Sequence, residues 1–256
     1  MNIQIPTRHN HKLRALMEAI NGDQELAQLY VCTNINAVDR AGLNDHGETH
    51  IRIVANAALR LMRILMDAGV TPSIVQHCDM EPADAELVVV LAACLHDVGM
   101  VIHRHEHEML GLVIAYPKAR QLLAALYEEP QLTTMVSEVL HAILAHNWEN
   151  ECLTLEAGVV KVADALDMTQ GRSRIPFEAG AVNIHSVSAQ SIEKVHIERG
   201  DERPVRIVVD LSGTAGIFQV DELLQRKLRH STLAPHVEIV ARLDRTNEHL
   251  SKVYKL

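Results

Sequence analysis

The chain has few aromatic residues and few cysteines. Phe, Trp and Tyr make up 3% of its 256 residues, whereas hydrophobic residues of all kinds reach 48%. The core must therefore be built from Leu, Val, Ile, Ala and Met, and long stretches of Leu, Ala and Met with little Gly or Pro favour helices. The four cysteines form no C-x-x-C pair, and so few in a chain of this length argue against a disulfide scaffold.

The chain also lacks a hydrophobic segment long enough to cross a membrane. Its longest apolar run extends from Leu87 to Leu95, whereas a spanning helix needs about 20 apolar residues. No apolar segment typical of a signal peptide follows Met1. From the sequence we therefore expect a soluble protein of the cytoplasm.

Positive charge is scarce in the first two thirds of the chain. Residues 1–181 hold 13 Lys and Arg against 23 Asp and Glu, and the whole chain has a net charge of -9. An acidic surface argues against binding to extended nucleic acid, which needs a basic face. It does not exclude a small nucleotide, because a bound metal cation reverses the local field.

Helical periodicity dominates up to about residue 170. The dipeptide Glu81-Pro82 marks the start of a helix that is apolar on all faces, as expected of a central and buried helix. We expect Gly99 to form the C-cap of this helix. Further along, the pattern predicts two separate helices, His105 to Ala115 and Pro117 to Glu128.

The texture of the sequence changes after about residue 180. Three strands are predicted, at 192–198, 205–211 and 236–243, together with a helix at 221–229. The predicted fold class is therefore mainly α, with a helical domain at residues 1–178 and a small α+β domain at residues 179–256. We expect the second domain to pair chains into a homodimer through an exposed strand edge, to sense a ligand, or to cover the helical site.

The pair His96-Asp97 closes the central apolar helix, so both polar groups are carried towards the interior. A buried carboxylate is costly unless it is paired or bound to a cation. A shared metal ion would solve this problem, and a hydrogen bond between the two side chains is the alternative. His50 opens another long helix on its apolar face, and Asp164 lies inside a further apolar helix. Together these four residues would make a metal site with room for water.

A second set of histidines follows the first along the chain. His107 comes soon after the His96-Asp97 pair, and His141 and His146 lie on one later helix. Additional imidazole ligands would allow two metal ions a few ångströms apart, an arrangement that suits attack on phosphorus. Imidazole and carboxylate ligands suit divalent Mn, Fe, Co, Ni, Mg or Zn.

This ordered set of residues resembles the HD-domain superfamily of metal-dependent phosphohydrolases. The resemblance covers about residues 45–170 and includes the segments Cys94-Leu95-His96-Asp97-Val98-Gly99 and Val162-Ala163-Asp164-Ala165-Leu166-Asp167. It implies an all-helical domain of HD type, one or two divalent ions, and hydrolysis of a phosphoester. The metal ligands that it implies are His50, His96, Asp97, His107, His141, His146 and Asp164. The chain differs from the cyclic-dinucleotide branch of this superfamily in three ways. It has Met100 where that branch has a lysine, His146-Asn147 where that branch has paired histidines, and no Gly-Tyr-Pro signature.

The expected activity is hydrolysis of a small phosphorylated substrate, such as a nucleotide. Metal-bound water would attack, with Asp97 binding metal and orienting that water. Cations near the site would neutralise phosphoryl charge, and the candidates are Arg104, Lys161, Arg172 and Arg174. Two alternatives stay open at this point: a non-catalytic nucleotide or metal sensor, and a di-iron oxygenase on the same fold.

Overall fold

The first part of the chain folds into a helical domain. The structure is a computed structural model that describes residues 1–169, 188, 190–245 and 248–254. Eight α-helices follow one another before residue 170 in this part: α1 His11–Gly22, α2 Gln24–Asn34, α3 Glu48–Asp67, α4 Ser73–Cys78, α5 Pro82–Leu95, α6 His107–Leu123, α7 Gln131–Ala145 and α8 Leu155–Ala165. A π-helical segment, Ile35–Arg40, extends α2, and a 3-10 turn, Val98–Val101, follows α5.

Helix α5 lies at the centre of this domain, as its sequence predicted. Every residue from Asp84 to Leu95 is buried, and the helix packs against α1, α3, α7 and α8. Pro82 occupies the first turn, and the side chains of Glu81 and Asp84 form a capping box that satisfies free backbone N–H groups. An apolar helix with a well-defined start therefore brings its C-terminal end, where His96 and Asp97 follow, into the interior.

Two local predictions on either side of the central helix were wrong. Gly99 does not cap α5 in a left-handed conformation; a Cβ there would lie 2.0 Å from the carbonyl oxygen of His107, so the glycine permits close contact with α6. Helix α6 runs unbroken through Pro117. Its missing N–H leaves the carbonyl of Val113 unpaired, and because Val113 is 74% exposed, water can satisfy that carbonyl.

The C-terminal part contains a four-stranded sheet. The strands are β1 Ile192–Arg199, β2 Val205–Leu211, β3 Val237–Arg245 and β4 Glu248–Tyr254, in the order β1-β2-β3-β4. The outer pairs are antiparallel, and β2 and β3 are parallel. The fourth strand was not predicted. The predicted boundary at residues 178 and 179 lies outside the described residues.

The crossover between the parallel strands contains a helix, α9, made of three consecutive pieces: Gly216–Phe218, the π-helical Gln219–Leu224, and Gln225–Arg229. It begins five residues before the predicted start at Asp221. Its last turn carries three basic residues, Arg226, Lys227 and Arg229.

The two parts of the chain are in direct contact. The hydroxyl of Thr232 donates to the carbonyl of Thr154 at 3.0 Å, and a Cβ at Gly158 would lie 2.2 Å from the same hydroxyl oxygen. Arg199 of β1 forms an ion pair with Asp67 at 2.7 Å. The segment after α9 therefore packs tightly against the start of α8.

Within the described residues, no helix combines the length and the apolar character that a membrane span requires.

Candidate metal centre

Six of the predicted ligands converge from five helices. His50 lies in the first turn of α3, His107 begins α6, and Asp164 lies in the last turn of α8. His96 and Asp97 follow α5, and His146 follows α7. All are buried except Asp164, whose side chain is 16% exposed. We call these six residues the ligand cluster.

Four imidazole rings in the cluster are oriented in the same way. In each ring Nδ1 lies within hydrogen-bond distance of an oxygen outside the cluster, which leaves Nε2 facing inward. The oxygens belong to Asp167, 2.6 Å from His50; Ala93, 2.8 Å from His96; Arg104, 3.0 Å from His107; and Ile143, 2.6 Å from His146. With Nδ1 donating, a neutral ring turns the Nε2 lone pair towards the cluster, which is the arrangement of a metal-binding histidine.

The first group of inward-facing atoms surrounds Oδ2 of Asp97. The Nε2 atoms of His50 and His96 lie 3.2 Å from each other and 3.3 Å from this oxygen. Oδ1 of Asp164 lies 3.4 Å and 3.7 Å from the same two nitrogens. Oδ2 of Asp97 is buried without a hydrogen-bond partner among the described residues. A buried carboxylate oxygen among imidazole nitrogens and a second carboxylate fits a cation.

The second group surrounds the other oxygen of the same carboxylate. Oδ1 of Asp97 lies 3.1 Å from Nε2 of His107 and 4.0 Å from Nε2 of His146. One atom each from His50, His96 and Asp97 lie within 4.8 Å of one another, and so do atoms from Asp97, His107 and His146, close enough to hold a metal ion. Atoms from His96, His146 and Asp164 form a third set of the same size. The two oxygens of Asp97 therefore face different groups of nitrogens.

The electrostatics of the cluster favour a cation. Burial opposes charge on His96, but the carboxylates of Asp97 and Asp164 outweigh burial and raise its pKa to about 10. Burial likewise opposes charge on Asp97 and Asp164, yet His96 beside the first and Lys227 beside the second hold both carboxyl pKa values well below their usual range. The field that favours a proton on His96 also favours a metal cation in its place.

His146 differs from His96 in the direction of its pKa shift. Burial, followed by the neighbouring His96, lowers its pKa well below the ordinary value for histidine. A neutral imidazole is the form that binds metal, so His146 meets this requirement without losing a proton.

The structure does not bring His141 or Lys161 into the cluster. Nε2 of His141 accepts a hydrogen bond from the backbone N–H of Leu153 at 3.0 Å. Nζ of Lys161 donates to the carbonyls of Asn150 and His230, the latter at 3.1 Å. His141 was predicted from the family resemblance, and Lys161 as a candidate cation near Asp164 in the sequence; neither argument fixes the direction of a side chain. Lys161 therefore links α8 to the segment after α9.

The predicted arginines differ in where they lie. Nη1 of Arg104 is 3.1 Å from Nδ1 of His107, so this exposed guanidinium borders the cluster on the α6 side. Arg172 and Arg174 lie outside the described residues.

Sequence reasoning missed the cation nearest to a proposed ligand. Nζ of Lys227, in α9, contacts Oδ2 of Asp164. The next residue towards the N-terminus, Arg226, places its guanidinium 3.7 Å from the centre of the Trp148 ring. Lys227 is 63 residues from Asp164 along the chain, and only the basic run in α9 could have indicated it.

The comparisons with known proteins identify the family. The profile of the family described as HD domain matches residues 47–169, a segment that contains the whole ligand cluster. A relative described as "Uncharacterized protein MJ1020", from Methanocaldococcus jannaschii, is 45% identical over 213 residues, which cover 83% of this chain and 82% of the relative. This chain belongs to the HD-domain superfamily. No solved structure matches it significantly. The HD domain implies a family of metal-dependent phosphohydrolases, and the name of the relative specifies no substrate.

Proposed function

We propose that this protein is a metal-dependent phosphohydrolase that cleaves a phosphoester of a nucleotide or another small molecule. The observation that carries the proposal is the carboxylate of Asp97, buried between two groups of imidazole nitrogens, with Oδ2 lacking a hydrogen-bond partner among the described residues. A buried site of this composition is suited to a divalent cation. Among the described residues, no serine or cysteine belongs to the cluster, so nothing there supports nucleophilic catalysis by such a side chain.

The residues of the cluster divide into two proposed ligand sets. One ion would be held by His50, His96, Asp164 and Oδ2 of Asp97. A second ion would be held by His107, His146 and Oδ1 of Asp97. Generation of hydroxide from water near neutral pH is the chemistry that a bound divalent cation supplies here. The protein holds the four histidine ligands in place through the contacts of their Nδ1 atoms described above.

Two residues that contact histidines of the cluster, Asp167 and Arg104, would also contribute to the reaction. Asp167 fixes the ring of His50 through the 2.6 Å contact with Nδ1, which keeps Nε2 directed at Asp97 and Asp164. Arg104, whose Nη1 lies 3.1 Å from Nδ1 of His107, would balance negative charge on a phosphoryl oxygen. Lys161 is not part of the proposed chemistry, because backbone carbonyls already accept from its ammonium group.

The test combines metal content with a search for substrates. The purified protein is analysed for bound metal by mass spectrometry, then screened for phosphate release from nucleotides and phosphomonoesters with Mn, Co, Ni or Mg. We expect metal in the wild-type protein and phosphate release from at least one compound. The variant Asp97→Asn should lose both, whereas Asp39→Asn, a matched change at an exposed position, should retain both.

Three results would contradict the proposal. Retention of the wild-type metal content by Asp97→Asn would remove this carboxylate from the centre. Confirmed metal without phosphate release from any compound would favour a sensor. Consumption of oxygen by the protein loaded with reduced iron would favour an oxygenase.

A further inference from the structure

We infer that α9 of the C-terminal domain completes the substrate site, and that Lys227 and Arg226 bind the phosphate of a phosphomonoester dianion. This inference rests on the proposed phosphohydrolase function and assigns it a substrate class. We call these two residues the anion clamp. The argument depends on where the cluster is accessible, on how each cation is held, and on which other cations are nearby.

The cluster is most accessible at Asp164. The side chain of Asp164 is 16% exposed, whereas exposure is 6% or less for the other five members of the cluster. Lys227, 19% exposed, contacts Asp164 at this edge. A small molecule that approaches the cluster past Asp164 therefore meets the ammonium group of Lys227, which has N–H donors left for a phosphoryl oxygen.

Arg226 is held in position without using its hydrogen-bond donors. Its guanidinium stacks on the ring of Trp148, two residues beyond the proposed ligand His146. Among the described residues, no hydrogen bond or ion pair involves the Arg226 guanidinium. A stacked guanidinium keeps its N–H groups at the edge of the plane, where they match the oxygens of a phosphate.

The other described cations near the cluster do not lie at its accessible edge. The ammonium of Lys161 donates to two backbone carbonyls, and Arg104 lies beside His107 on the α6 side. Helix α9 therefore supplies Lys227 at the accessible edge and Arg226 beside Trp148. Two positive groups in addition to a metal suit a phosphate that carries two negative charges, so a phosphomonoester is favoured over a phosphodiester, which carries one.

The decisive experiment measures phosphate binding rather than turnover. Protein loaded with Mn is titrated with inorganic phosphate by calorimetry, using the variants Lys227→Met, Arg226→Met and Trp148→Leu. Arg229→Met is the control, because Arg229 lies on the same turn but donates to Gln225 at 2.9 Å. We expect Lys227→Met, Arg226→Met and Trp148→Leu each to weaken phosphate binding roughly tenfold or more. Lys227→Arg should restore part of the binding, and the control should match wild type.

Metal affinity separates a substrate contact from a structural one. The ammonium of Lys227 competes with a cation for Asp164, so Lys227→Met should bind Mn as tightly as wild type or more tightly. Wild-type phosphate affinity in Lys227→Met and Arg226→Met would overturn the inference, and so would a loss of Mn in Lys227→Met.

A separate readout distinguishes this inference from the proposed function. If a substrate is found, the clamp variants should raise KM more than they lower kcat, and should reduce the preference for phosphomonoesters over phosphodiesters. An unchanged preference would overturn the assignment of substrate class while leaving hydrolysis intact. Phosphate binding that depends on Lys227, in a protein that hydrolyses none of the compounds, would support the clamp and contradict the hydrolase.

Discussion

Glu138 offers a test of the physical reasoning that does not involve the metal centre. This residue of α7 has a carboxylate oxygen, Oε2, that is buried without a hydrogen-bond partner among the described residues. Burial, followed by repulsion from Glu156, raises the pKa of Glu138 from 4.5 to about 7. Glu156 is fully buried, and its two oxygens accept from the backbone N–H groups of Ser73 and Ile74 at the start of α4.

The sign of the effect on stability follows from the direction of this shift. A carboxyl whose pKa is higher in the folded protein binds its proton more tightly there, so it contributes stability below pH 4.5 that is lost as pH rises through 7. Each pKa unit corresponds to about 1.4 kcal/mol, so the shift gives an upper limit of roughly 3.4 kcal/mol. Glu138 is only partly buried, and solvent screening reduces the expected effect to about 1–2 kcal/mol.

The variant Glu138→Gln removes the ionisation while keeping the size of the side chain. We expect its free energy of unfolding to exceed that of wild type by about 1–2 kcal/mol at pH 8, with little difference at pH 4.5. Urea unfolding of metal-free protein across this range measures the difference. Glu128→Gln, at an exposed position, should show no such trend. A difference that does not vary with pH, or a variant less stable than wild type at pH 8, would refute the reasoning.

Three further changes test other parts of the structure. Asp167→Asn should weaken metal binding by about 10–100-fold without unfolding the protein, because it loosens only the orientation of the His50 ring. Titration with Mn measures the change, and unchanged affinity would show that Asp167 does not support the metal ligands. Gly99→Ala places a methyl group against backbone and should lower the midpoint of thermal unfolding, whereas Gly22→Ala, with open space around it, should not. Arg63→Met removes the ion-pair partner of the buried Glu86 on α5. It should lower the free energy of unfolding in urea by about 3–5 kcal/mol, and a loss below 1 kcal/mol would contradict a buried ion pair.

The sequence predicts most of the helical domain because its core pattern is simple. The run from Leu87 to Leu95 is apolar on every face and therefore occupies the centre. That placement alone brings His96 and Asp97 inside. His50 and Asp164 could be anticipated because each interrupts an apolar helix, and a buried polar group needs a partner.

The sequence could not predict features that depend on the direction of single side chains or on distant contacts. His141 and His146 have the same chemistry and lie on neighbouring turns, yet only His146, just beyond the end of α7, turns Nε2 towards Asp97. The glycine at position 99 resembles a helix cap in sequence, but its role depends on α6, which packs against it. Lys227 lies outside the segment that matches the HD family, 63 residues from the ligand it contacts, and no periodicity connects the two.

The crossover between two parallel strands restricts how the C-terminal domain can move. Strands β2 and β3 pair along their whole shared length, from Val205 opposite Val237 to Leu211 opposite Leu243. Because α9 joins these strands and the segment after it contacts α8 through Thr232, we expect its basic turn to stay beside Asp164 and Trp148. Substrate would then pass a fixed boundary on this side, and the speed of catalysis would not depend on α9 opening and closing as a lid.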